Sequence, residues 1–183
     1  MIKLKHRFAP LAAIALALGL HAAGCAPENT VIPSERPTLP PATDTHDDAG
    51  AEAIAHMAEG PAAPVTAVAF DAMTGVPLVG SDHKRYDIAL VASDSQNVGK
   101  VKLDSATALD YTFFLNADVA LAIKDAAGEA VAIERTLGPI ASSSIAQHCV
   151  AELGVGRYFL YLGPTRESSL SLVVEGGAHD HEH

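Results

Sequence analysis

Positive charge is scarce in this sequence. Twelve Lys and Arg stand against 22 Asp and Glu, a formal net charge of −10 with neutral His. Three of the twelve, Lys3, Lys5 and Arg7, fall at the extreme N-terminus. Without that segment nine remain against the same 22 acids, a charge of −13. Nucleic acid and anionic headgroups need Lys or Arg to neutralise phosphate, so a surface of this sign disfavours both and attracts cations instead. The uncharged stretch Phe8 to Leu20 is too short for a membrane-spanning helix. Complete catalytic motifs are missing as well. "GVGRYF" lacks the third Gly of a dinucleotide fingerprint and leads into a strand. "DSQNVG", Asp94 to Gly99, has the wrong spacing for an EF-hand loop, and "SSS", Ser142 to Ser144, has no nucleophile-elbow pattern. His148 and Cys149 are neighbours in a strand pattern, so they point to opposite faces and make no dyad. The expectation is a protein without enzyme activity.

The beginning of the chain, "MIKLKHRFAPLAAIALALGLHAAGC", has the layout of a secretory signal peptide: a basic start, an apolar centre, then small residues. Directly after the small run stands Cys25. Ala22-Ala23-Gly24-Cys25 resembles the lipobox of bacterial lipoproteins, with Ala22 where that family prefers Leu. The resemblance covers residues 1–25 and implies cleavage before Cys25, a diacylglycerol thioether on its sulfur and an acyl chain on its amine. Several acyl chains, each contributing about 0.8 kcal/mol per buried methylene, make a durable membrane anchor. Ala26 follows, with no Asp to suggest inner-membrane retention, so the family's sorting habit favours the outer membrane. Cys149 is then the one remaining thiol, which excludes an internal disulfide framework. It reads as a small core residue, with an intermolecular or metal-binding role as the alternative.

Residues 25–63 shift in composition. "APENTVIPSERPTLPPATDTHDDAG" carries five prolines and almost no large apolar side chain, the signature of an extended tether. Within it, Asp44 to Glu59 has acids at its start and Ile54, Met57 and Ala58 on one side, a pattern compatible with a short helix.

From 64 to 176 the dominant signal is alternation with period two. Tyr86, Ile88 and Leu90 share a face; so do Leu109, Tyr111, Phe113 and Leu115, and then Val119, Leu121 and Ile123. Asp125 to Glu129 reads as a Gly-bearing hairpin turn leading to Val131 and Ile133. Tyr158, Leu160 and Leu162 form another set, a turn is expected at Gly163-Pro164-Thr165, and Leu170, Leu172 and Val174 follow. With Val65 to Phe70 added, seven or eight short strands appear at sandwich-like spacing. The pattern predicts an all-β, antiparallel, jelly-roll-like sandwich. The stretches "YTFFLNADVALAIKDAAGEAVA" and "VAELGVGRYFLYLG" are loosely similar to the bacterial pre-peptidase C-terminal domain, over about residues 98–175. That family is a non-catalytic sandwich accompanying secreted enzymes, so the resemblance implies a non-catalytic domain; fold alone does not fix its function.

Seven histidines lie beyond the leader: His46, His56, His83, His148, His179, His181 and His183. The first three sit in polar segments and read as solvated, with membership of a metal site as the alternative; His148 reads as half-buried. The tail 177–183, "GAHDHEH", stands apart. Extended, it projects His179, His181 and His183 from one face and Asp180 and Glu182 from the other. The outer two are then about 13 Å apart, so a three-His site needs the tail to bend. Imidazole suits zinc or copper. Asp82, Asp94 and Asp125 read as turn carboxylates rather than calcium ligands. The functional expectation is a lipid-anchored envelope protein displaying a non-catalytic binding module with an envelope protein as partner. The alternative is a periplasmic protein that binds or buffers zinc or copper through its His-rich end.

Overall fold

The computed structural model describes residues 46–177. The leader, Cys25, most of the tether and the tail histidines His179, His181 and His183 lie outside the described residues. In chain order the elements are α1 (His46–Glu59), β1 (Ala62–Thr66), β2 (Leu78–Val79), β3 (Arg85–Ala89), β4 (Val91–Ser93), β5 (Gln96–Ser105), β6 (Leu109–Leu115), β7 (Leu121–Asp125), β8 (Ala130–Val131), β9 (Arg135–Leu137), β10 (Gln147–Leu153), β11 (Gly156–Thr165) and β12 (Ser169–Gly176). No helix among the described residues is long and apolar enough to cross a membrane.

Two sheets stack into a β-sandwich. One has the order β1-β3-β12-β6-β10-β9; the other runs β2-β5-β11-β7-β8, with β4 also paired to β5. The expected alternation is what fills the space between them. Tyr86 and Ile88, Tyr111, Phe113 and Leu115, Val119 and Ile123, Leu160 and Leu162, and Leu170, Leu172 and Val174 join one buried cluster. Leu90, Leu109, Leu121, Val131, Ile133 and Tyr158 pack at its margin. The Asp125–Glu129 turn forms as its sequence demands. The Asp125 carboxylate accepts from the amides of Ala127 and Glu129, both at 2.9 Å, and Gly128 takes φ +89°, a region open to Gly at little cost.

Three expectations need correction. The sheets are mixed rather than purely antiparallel, because β1 pairs with β3 and β2 with β5 in parallel. Twelve strands are found among the described residues instead of seven or eight. The surplus is mainly β2, β4, β8 and β9, of two or three residues each, too short to show a period. Gly163-Pro164-Thr165 is not the turn: β11 continues to Thr165 through an irregularity in its pairing with β5. Gly163 is needed there, because a Cβ would stand 2.7 Å from the Asn97 carbonyl oxygen at φ +103°.

The helix changes the domain outline. On β6, Thr112 and Phe114 are buried as well as Tyr111, Phe113 and Leu115; on β12, Val173 and Glu175 are buried alongside Leu172 and Val174. Strands hidden on both faces need a cover on the outer side, and α1 supplies it. Ala53 and Met57 form a second buried cluster with Phe114, Ile145 and Val173, flanked by Ile54 and Ile140. Residues 46–59, assigned to the tether by composition, therefore belong to the folded body, and its first strand opens at Ala62 rather than beyond 64.

Candidate metal centre

Among the described residues, Glu52, His56 and His83 form a group whose ligand atoms all lie within 4.8 Å of one another. They come from two separate parts of the chain, and local geometry explains the meeting. Glu52 and His56 are four apart on α1, so they project from the same face one turn above the other. The helix stops at once after them. The Gly60 amide donates to the His56 carbonyl at 3.1 Å, and a Cβ on Gly60 would lie 2.7 Å from that oxygen. Arg85 then ties this end to the sheet. Its Nη1 donates to the Met57 carbonyl at 2.9 Å, its amide to the Pro61 carbonyl at 3.1 Å, and its Nε to the Asp87 carboxylate at 2.9 Å. Ser171 on β12 donates to that same carboxylate at 2.8 Å.

His83 sits two residues before Arg85, in the loop between β2 and β3. It adopts φ +56°, an uncommon left-handed conformation for a side chain of this size. The flanking residue holds the loop in place. Asp82 accepts from the Tyr86 hydroxyl and from Lys84 Nζ, each at 2.6 Å. These bonds keep the Asp82 carboxyl below the usual carboxylate range against the burial that opposes it; burial, then the bond to Asp82 and its charge, pushes the Tyr86 hydroxyl up to about 12. Backbone strain held by such contacts is characteristic of a position with a job to do.

Glu175, on the outer face of β12 and 4 % exposed beneath α1, adjoins the group through His83. His56 Nε2 lies 3.5 Å from Glu52 Oε1; His83 Nδ1 lies 3.0 Å from the same oxygen and 3.5 Å from Glu175 Oε2. Donors bound tetrahedrally to zinc at its usual bond lengths stand about 3.3–3.5 Å from one another. These three contacts fall near that spacing. Two buried atoms at this place, His56 Nε2 and Glu175 Oε1, have no hydrogen-bond partner. Buried polar groups left unsatisfied cost free energy, and a cation between them would satisfy both. Burial, then the neighbouring Glu52 charge, pushes the Glu175 carboxyl up to about 7, with His56 acting the other way.

Chemically, two carboxylates and two neutral imidazoles would neutralise a divalent ion and ligate it through N and O. The set has no sulfur: Cys149 is buried on β10, 3.7 Å from Thr136 Oγ1, and burial pushes its thiol up. That favours zinc, copper(II) or nickel over copper(I).

The other residues singled out by sequence fall elsewhere. His148 stacks on Phe114 on the outer face, while Cys149 pairs in register with Phe113. Asp82 and Asp125 are spent on the bonds already described. On the second sheet a cleft lined by Val76, Phe159 and Tyr161 has Lys100 at its base. That ammonium is occupied by the carbonyls of Phe70 and Ala72 and the nearby Tyr161 ring, where it fastens the loop before β2. His56 and His83, read as solvated, are the ones brought together. Only the four-residue spacing of Glu52 and His56 was visible as a signal; nothing local marked His83 or Glu175. No protein-family model matches this chain, and neither does any curated protein.

Proposed function

We propose that this chain is a lipid-anchored protein of the bacterial envelope whose β-sandwich binds a divalent transition metal, zinc or copper, without catalysing a reaction. The observation that carries the metal assignment is the convergence of Glu52, His56 and His83, with Glu175, buried and carrying an unsatisfied oxygen, beside His83. The acidic surface supports it by concentrating cations near the site. In this reading Cys25 carries the lipid, the outer membrane is the location, and His179, His181 and His183 add a second, weaker element for the same ions. Fixing three side chains and their backbone around one ion costs conformational entropy, so the expected affinity of this element is micromolar or weaker.

Calorimetric titration of the full chain with zinc tests this. Two classes of site are expected. His83→Ala removes the tighter class, and a chain ending at Ala178 loses the weaker one. Equal zinc uptake by wild type and His83→Ala rules out the centre; equal uptake by the truncated chain reduces the tail to solubilising sequence. The anchor has its own check. Cys25→Ser blocks incorporation of a fatty-acid probe and leaves a larger, unprocessed precursor, whereas unchanged labelling and size would end the lipoprotein reading.

A further inference from the structure

We propose that the ion at this centre is a latch: its binding decides whether α1 stays docked on the outer face of the sandwich. The inference rests on the metal-binding reading and adds a consequence to it. Glu52 and His56 belong to the helix, whereas His83 and Glu175 belong to the sandwich. The helix pair can share an ion with His83, and with Glu175 beside it, only when the helix is docked. A ligand that binds one of two states stabilises that state by its differential affinity.

The rest of the interface is modest. Among the described side chains of α1, Ala53 and Met57 are buried against Phe114, Ile145 and Val173, with Ile54 beside them. The hydrogen bond from Arg85 to the Met57 carbonyl is one further tie. Against these stands the centre itself when it holds no ion. Docking then shuts Glu175 Oε1 and His56 Nε2 away from water without a hydrogen-bond partner, a cost the 3.0 Å contact of His83 with Glu52 offsets only in part. Without a cation the His83–Glu52 contact is the tie this cluster offers; an ion shared between the helix pair and the sandwich pair adds a stronger one and satisfies the stranded atoms. A 14-residue helix whose exposed alternative is water is marginal by itself, so release and unfolding of α1 go together. Gly60, where the chain turns sharply, is the natural hinge, and β1 keeps its own pairing with β3 on the far side of it. The latched form covers Phe114, Ile145 and Val173; the released form presents them.

Hydrogen exchange of the full chain at pH 7, with zinc or with EDTA, reads this directly. Amides of residues 50–59 are expected to exchange at least tenfold more slowly with zinc, while those of β5 and β11 on the other sheet change little. His83→Ala abolishes the zinc-dependent protection of α1. If zinc binds at the centre by calorimetry yet α1 exchanges at the same rate in both conditions, the latch is wrong and the metal centre stands. If zinc protection persists in His83→Ala, the ion acts within the helix between Glu52 and His56, which also overturns the latch. If His83→Ala leaves zinc binding unchanged, both readings fall together.

Discussion

Phe113→Ala lowers the free energy of unfolding by about 3–5 kcal/mol, the range for removing a well-buried aromatic ring. The ring is 0 % exposed. It stands in the middle of β6, in register with Val174 on β12 and Cys149 on β10, and it belongs to the cluster between the sheets. Hydrogen-bonded strands on both sides hold the backbone, so the site cannot collapse to fill the void, which places the loss in the upper part of the range. Urea denaturation in EDTA is the appropriate measurement, because it keeps metal linkage out of the comparison. An unchanged slope with a lowered midpoint is expected. A loss below about 1 kcal/mol would mean that the ring is not packed in the interior as its alternation implies.

That prediction comes straight from sequence, since alternation is a local signal. Tyr111, Phe113 and Leu115 announce a buried face without reference to anything distant, and so do Leu170, Leu172 and Val174. The turn at Asp125–Glu129 is equally local, because its Asp bonds its own backbone and its Gly accepts a positive φ. The parallel pairs β1–β3 and β2–β5 depend on how the chain crosses between sheets, which no period encodes. A cue for the helix cover did exist. Phe114 directly after Phe113, and Val173 beside Val174, are apolar on both faces of their strands, which is wasteful unless something packs outside.

The candidate metal cluster was harder to see for the same reason. A His cluster such as "GAHDHEH" is contiguous and draws the eye. The centre on the sandwich assembles from α1, one strained loop and a strand at the other end of the chain. His83 in "SDHKR" is indistinguishable from a solvated loop residue until Asp82 and Tyr86 are known to fix its loop. Glu175 looks like an ordinary polar strand residue until α1 is placed over it.

Glu175→Gln is expected to separate folding from binding, with opposite signs for the two. In the metal-free protein the carboxyl is pushed from its ordinary 4.5 up to about 7. A raised carboxyl pKa means that the folded state holds the proton more tightly than the unfolded one. Its stabilising effect is complete below the unfolded value and is lost as pH climbs through the folded value, so metal-free stability declines between about pH 4.5 and 7. The loss is on the order of 3 kcal/mol. Gln stays neutral throughout, so the variant lacks this decline and is the more stable of the two at pH 8 without metal. Zinc inverts the comparison. Ligation needs the ionised carboxylate and neutral imidazoles, so the zinc-dependent gain in wild type grows as pH rises from 5 to 8. Gln cannot supply the anionic ligand, and affinity at the centre falls by about 100-fold or more. A buried glutamate kept only for packing would give the first effect and not the second. Denaturation midpoints at pH 5, 7 and 8, with zinc or EDTA, combined with calorimetry at pH 8, measure both. A variant less stable than wild type at pH 8 without metal would show that the ionised carboxylate supports the fold, and wild-type zinc affinity would remove Glu175 from the ligand set.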